Sequence, residues 1–281
     1  MLNRKHIRRR FERVASRFDS ADFVHATTRE GLLSRLEPVL IEAKTVIDLG
    51  AATGSTSRAL EKRFKKANVI SVDIAHSMLC EARKKKSWLS RASYAQADAV
   101  ALPFRNACVD LVFANMLLPW LDDPTPVFTE VARVLRKNGV FAFTTLGPDS
   151  LREIARAWGQ VDAKAHVNRF SDMHNLGDGL VNAGLRDPVV DVDRLSINYK
   201  NSERLLADLT NSGARNTLIA RSPTLTGKGP FDAMIAALTD ADRGDITLNL
   251  ELIYGHCWGS GPKMDPENYR IDATQIPLRR S

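Results

Sequence analysis

Residues 44–57 read Lys44-Thr45-Val46-Ile47-Asp48-Leu49-Gly50-Ala51-Ala52-Thr53-Gly54-Ser55-Thr56-Ser57. A short apolar run ends on an acid, turns through two glycines and opens on hydroxyl side chains suited to capping a helix. This is a strand, a tight turn and a helix start. In open α/β sheets such a turn at a strand tip is where nucleotides bind. The G-x-x-x-G spacing rules out a strict G-x-G-x-x-G, and no Lys-Ser/Thr follows, which excludes a P-loop. Ala52 stands where such loops often carry a further glycine, and a pyrophosphate needs that glycine for close backbone approach.

The pattern continues on both sides. "NVISVDI" (68–74), "ASYAQAD" (92–98), "CVDLVFANML" (108–117) and "VFAFTTL" (140–146) read as strands. "STSRALEKRFKKA", "HSMLCEARKKKS" and "DDPTPVFTEVARVLRKNG" read as the helices between them, the last ending at Gly139. Strands alternating with helices of this length give βαβ units and a doubly wound α/β sheet with parallel strands. Upstream, "NRKHIRRRFERVASRF" places Ile7, Phe11, Val14, Ala15 and Phe18 on one helical face, and "TTREGLLSRLEPVL" reads as a Thr-capped helix stopping near Pro38. Downstream, "DSLREIARAWGQVD", "SDMHNLGDGLVNAG", "SERLLADLTNSG" and "FDAMIAALT" are helical. "DPVVDVDRLSINY" and "DITLNLELIYGHCWG" alternate like two strands of an antiparallel edge, with residues 200–244 inserted between them. The expected organisation is one domain over 1–281. N-terminal helices occupy 1–40 and the ligand-binding core 41–146. The rest of the sheet comes from 147–199 and 245–260, and 200–244 form a helical insertion or lid.

The strand tips carry the chemistry, because ligands of such sheets sit outside the carboxyl ends of the strands. S-adenosylmethionine is a nucleoside ligand without a phosphate, so Gly50, Gly54 and even Ala52 suffice for its turn, with Asp48 the nearby acid. Asp73 ends the second strand about twenty residues further on, where a carboxylate accepts ribose hydroxyls. Ile74 and Met78 are placed to pack on an adenine. Asp98 would accept from its amino group, the Ala99 amide reaching a ring nitrogen. Asn115 and Met116 end the fourth strand beneath the methionine part. Any one of these acids is equally well read as a cap for the next helix; the set of four tips is harder to explain so.

The order D-L-G-x-x-T-G, V-D-I, A-D-A, L-P-F and D-L-V-F-A-N resembles the class I S-adenosylmethionine-dependent methyltransferases over roughly residues 40–146. The remaining stretches "RRRFERVASRFDSADFVHA", "FTTLGPDSLREIARAW", "HVNRF", "LLADLTNSGARN" and "ELIYGHCWG" resemble the malonyl-acyl-carrier-protein O-methyltransferase branch of biotin synthesis. The resemblance implies a seven-stranded, mostly parallel sheet with a Rossmann-like core. It also implies S-adenosylmethionine as cofactor and an acidic carrier protein bearing a malonyl group as partner. A related branch, the complex I assembly factor that hydroxylates an arginine, shares the framework and much of "SDMHNLGDGLVNAGL". A binding module that kept only the fold is the third reading. Phe18 stands where many members of the biotin branch place a tyrosine.

A malonyl carboxylate is ionised at neutral pH and needs no general base, so the protein's work is to position it. Arg169 is the first candidate clamp, followed by Arg152 and His166, against the alternative of surface ion pairs. Trp120 and Trp258 are candidate pocket walls. His166, Asp172 and His174 admit a two-His-one-carboxylate metal site, but Asp172 reads more simply as a helix N-cap, and no metal is expected.

The chain of 281 residues has 44% hydrophobic and 26% charged residues, which suits a globular fold. Its basic N-terminus lacks the apolar segment of a secretory signal, and no apolar run is long enough to cross a bilayer. Three scattered cysteines argue for a reducing, cytoplasmic setting rather than a disulfide framework or zinc site. The net charge of +7 reads either as solvated helix faces or as an attraction for an acidic partner. The resemblance favours a carrier protein over nucleic acid, and no membrane partner is expected.

Overall fold

The structure is a computed structural model that describes residues 1–221 and 226–261. After helices α1 (Arg4–Val14) and α2 (Phe23–Arg35), the chain runs β1 (Thr45–Leu49), α3 (Ser55–Arg63), β2 (Asn68–Asp73), α4 (His76–Lys84), β3 (Ser93–Gln96) and β4 (Val109–Asn115). It continues through α5 (Thr125–Val134), β5 (Leu135–Leu146), α6 (Arg152–Gly159), α7 (Met173–Asn182) and β6 (Leu185–Tyr199). Helices α8 (Ser202–Asn211) and α9 (Lys228–Leu238) and strand β7 (Ile246–Gly259) complete it.

The seven strands form one sheet in the order β3-β2-β1-β4-β5-β7-β6. The first five are parallel, whereas β7 pairs antiparallel with both β5 and β6. The order reverses between β1 and β4, so a crevice opens beyond their carboxyl ends. The central strands are buried on both faces, which is why "TVIDL" and "VDLVFAN" read as continuous apolar runs. One face packs Ile47, Leu49, Val112 and Phe141 against Phe128 and Val131 of α5 and Leu176 and Leu180 of α7. The other packs Val46, Leu111, Phe113 and Ala142 against Leu32 of α2, Leu36 at its C-cap and Leu60 of α3. The edge strand β6 alternates exposed and half-buried residues, as a strand with one wet face should.

Two boundaries differ from the sequence reading. Helix α5 stops at Val134, not Gly139, because Leu135 turns extended and pairs with Val109, after which Leu111 pairs with Val140. The residues between form a bulge in which Asn138 takes a positive φ of 64°. Helix α2 begins at Phe23, not near Thr27. The Thr27 hydroxyl donates to the Phe23 carbonyl within the helix and caps nothing.

Candidate active site

The loop after β1 is built on three left-handed residues, Gly50 (φ 77°), Ala52 (φ 45°) and Gly54 (φ 77°). Gly54 has no substitute, since a Cβ there would lie 2.9 Å from the Ala82 Cβ. Ala52 accepts a backbone that glycine would adopt without strain, and its N–H donates to Asp73 Oδ2 at 2.9 Å. Asp73 Oδ1 accepts from the Ala75 N–H at 2.8 Å, so one carboxylate pins both the loop and the entry to α4. Burial, opposed by these N–H groups, pushes the Asp73 carboxyl up to about 6.

A cavity lies over the tips of β1, β2 and β4. Of the residues expected there, Gly50, Ala52, Asp73, Ile74, Asp98, Ala99 and Asn115 line it, as does Met116. Asp48, Gly54 and Met78 do not. Asp48 lies beneath the loop, 1% exposed, with Oδ2 accepting from Ser57 at 2.5 Å. Its Oδ1 has no partner among the described residues, and burial pushes its pKa up to about 7. Met78 is fully buried against Val14, Ala15 and Phe18. Asp98 lies beyond the end of β3, where it accepts from the Val100 N–H at 3.2 Å and pairs with Arg4. Asn115 has both ends committed: Oδ1 accepts from Thr144 at 2.8 Å and Nδ2 donates to the His25 carbonyl at 2.9 Å.

The sequence reading missed the roof. Ile7, Phe11, Phe18 and His25 close the cavity from α1, α2 and the turn between them. Asp122 accepts from the Leu2 N–H, and Glu12 accepts from the His76 and Ser77 N–H groups at the start of α4, at 2.9 and 2.7 Å. Both tether α1 across the strand tips. Phe18 is buried with its ring edge-on to His25 at 5.0 Å. His25 is half-buried, its Nδ1 is buried with no partner among the described residues, and desolvation with the nearby Arg29 pushes its pKa down to about 4. A neutral imidazole therefore faces the cavity. The heptad-like spacing of "IRRRFERVASRF" was the only signal for this roof, and it gave a helix face without its target.

Trp120 lines this cavity and also a second one of about 570 Å³. The second cavity is walled by α6, α8 and α9, including Ile154, Leu205, Leu209, Met234 and Leu238, with Arg10, His166, Asn168 and Arg215 among its polar residues. His166 stacks on Trp158, ring centroids 3.9 Å apart, and bonds Asp162 at 2.9 Å. The other two expected clamp residues lie outside both large cavities. Arg152 is exposed at the start of α6, pairs with Asp149 and lines neither large cavity. Arg169 is also exposed and borders only a narrow cleft beside Leu118 and Pro119. Trp258 packs with the core against His256, away from both cavities. Asp172 caps α7, its Oδ1 accepting from the His174 and Asn175 N–H groups at 2.9 Å. Among the described residues no three His, Cys, Asp or Glu side chains converge as a metal site.

Residues 47–143 match the model of a family described as a methyltransferase domain. The malonyl-[acyl-carrier protein] O-methyltransferase of Halorhodospira halophila (strain DSM 244 / SL1) is 36% identical over 286 residues, covering 99% of this chain and 97% of that protein. The protein of the same name from Gallionella capsiferriformans (strain ES-2) is 33% identical over 286 residues and 99% of each chain. Among solved structures, the YcgJ protein of Bacillus subtilis superposes with a TM-score of 0.61 at 17% identity, over 83% of this chain and 99% of that one. The Haemonchus contortus phosphoethanolamine N-methyltransferase 2, solved with S-adenosyl-L-methionine, gives 0.51 at 17% identity over 83% of this chain and 52% of its own. At such identities the structural likeness carries the fold alone.

Proposed function

The chain belongs to the malonyl-[acyl-carrier protein] O-methyltransferase family, and on that premise we propose that it uses S-adenosylmethionine to methylate the free carboxylate of a malonyl group borne by acyl-carrier protein, in the service of biotin synthesis. The observation that carries the reading is the pair of cavities sharing Trp120, one at the strand tips and one beneath the insertion.

The residues of the first cavity fit this cofactor. Asp73 spends one lone pair per oxygen on backbone N–H groups, which leaves acceptors for the two ribose hydroxyls. The unpartnered Nδ1 of neutral His25 suits an ammonium or carboxylate of the methionyl part. Ile74 and Leu117 supply apolar surface, and Ala52 is tolerable because no pyrophosphate approaches the loop. When bound, the cofactor supplies an electrophilic methyl on a sulfonium sulfur, which a carboxylate oxygen takes without any proton transfer.

The chain's own work is then to orient and to exclude water. Helix α1 roofs the cofactor cavity, and the aromatic rings of Phe11 and Phe18 line it. The second cavity has room for an extended acyl thioester arm and apolar walls to hold it. Aligning oxygen and methyl in a dry site supplies the rate, through proximity and a low dielectric. The exposed basic residues of α1, among them Lys5 and Arg9, suit the approach of an acidic carrier protein. The arginine-hydroxylating reading has less support, since the curated relatives compared carry the methyltransferase name and Asp172 is spent as a helix cap.

The test is genetic. Expression of this chain is expected to restore growth without biotin to a bacterium lacking its own malonyl-carrier-protein methyltransferase. Persistent biotin dependence, with the chain soluble and expressed, would refute the proposal.

A further inference from the structure

Arg10, Arg215 and Arg221 all line the second cavity. They come from α1 and from the stretch after α8, some two hundred residues apart in sequence. Arg10 is half-buried, and its guanidinium is held by backbone carbonyls, donating to Arg215 O and, at 3.1 Å, to Asn216 O. Arg221 Nη2 lies 3.4 Å from His6 Nδ1. Among the described residues no Asp or Glu forms an ion pair with any of the three. Burial and the fields of Arg221, Arg215 and Arg13 push Arg10 down to about 10, so Arg10 feels the other two cations and stays charged at neutral pH. Other arginines do meet acids, as Arg133 meets Glu130 and Arg136 meets Asp110.

Like charges on a cavity wall repel; solvent screens the exposed Arg215 and Arg221, and an anion between them would relieve the crowding felt by the half-buried Arg10. Guanidinium forks match a planar oxyanion bidentately, and the Arg10 fork, already fixed by carbonyls, loses little entropy in binding one. Phe11, the residue after Arg10, packs edge-on to Trp120 at 5.0 Å, so the cluster stands close to the junction of the two cavities. We propose that Arg10, Arg215 and Arg221 form an oxyanion cradle that selects acceptors carrying a negative group, either the free carboxylate of the acyl chain or the phosphate of the carrier's prosthetic arm. Its assignment to the methyl acceptor rests on the reaction proposed above; the cradle itself rests on the geometry.

The experiment titrates the full chain, with S-adenosylhomocysteine present, with malonyl-pantetheine and separately with phosphopantetheine. Wild type is compared with R10Q, R10K, R215Q and R221Q. Malonyl-pantetheine is expected to bind wild type and to weaken tenfold or more in each glutamine variant, with R10K between because it keeps the charge but not the fork. Weakening confined to phosphopantetheine assigns the cradle to the arm's phosphate instead. Arg221 is exposed, so R221Q answers the question even if R10Q fails to fold. Failure of wild type to bind either probe, or equal affinities across the glutamine variants, overturns the cradle. Weakened binding in the variants with no methyl transfer by wild type keeps the cradle and refutes the reaction. Methyl transfer by wild type with unaltered binding in the variants does the reverse.

Discussion

Replacing Asp73 with alanine separates holding the fold from holding the ligand. The side chain accepts two backbone N–H groups, from Ala52 and Ala75. Hydrogen bonds to a charged group contribute about 1.5–3 kcal/mol each, so removing both costs about 3–6 kcal/mol. Against this stands the cost of keeping the carboxylate ionised where burial has raised its pKa from 3.8 to about 6. At about 1.4 kcal/mol for each pKa unit, that rise is about 3 kcal/mol against the ionised form at neutral pH, already net of both hydrogen bonds. Relief of desolvation therefore offsets the lost hydrogen bonds, and the change in stability is expected to be small. Binding has no such offset. Two ribose hydroxyls on a buried carboxylate are worth about 3 kcal/mol or more, which is about a hundredfold in Kd. Calorimetric titration with S-adenosylhomocysteine, beside urea unfolding of the same variant, measures both quantities. The wild-type affinity should also fall as pH drops below about 6, since protonation removes the charge that the hydroxyls favour. A folded D73A that binds within threefold of wild type would refute the assignment.

Other residues give sharper single readouts. Ala52→Gly is expected to stabilise the chain by up to about 1 kcal/mol in urea unfolding, because relief of the left-handed backbone exceeds the entropy that glycine adds to the unfolded state. Destabilisation would mean that the Ala52 methyl packs for more than its strain. His25 has a folded pKa of about 4 against an ordinary 6.5, so between those values the unfolded state binds more protons. Its contribution is full above pH 6.5 and is lost as pH falls to about 4, about 3 kcal/mol in all. Asp48 and Asp73, both raised, act in the opposite sense across about pH 4 to 7. The difference between wild type and His25→Phe isolates the histidine. A pH-independent difference would refute its burial as a neutral ring.

What the sequence made legible was whatever is local in the chain. Strands β1 and β4 announce themselves because burial on both faces demands unbroken apolar runs. The loop reads from its own glycines, and β6 and β7 read as a closing antiparallel pair from their alternation, although α8 and α9 lie between them. What stayed hidden depends on distant partners. Leu135 leaves its helix because Val109 waits across the sheet. Arg152 and Arg169 were candidate clamps by residue type; in the fold Arg152 pairs with Asp149 and Arg169 borders a narrow cleft, positions that residue type does not reveal. His25 lies in an unremarkable polar stretch and becomes a cavity wall only when α2 docks on β4 through Asn115. The three arginines of the second cavity meet only after the insertion folds back over α1.

The account stands or falls on methyl transfer itself. The purified chain is given S-adenosylmethionine with a labelled methyl group and, in parallel, malonyl-, acetyl- and unacylated acyl-carrier protein. Label is expected on the malonyl form alone, released by mild base as befits a methyl ester. No transfer to the malonyl form, or equal label on the unacylated carrier, would contradict the account.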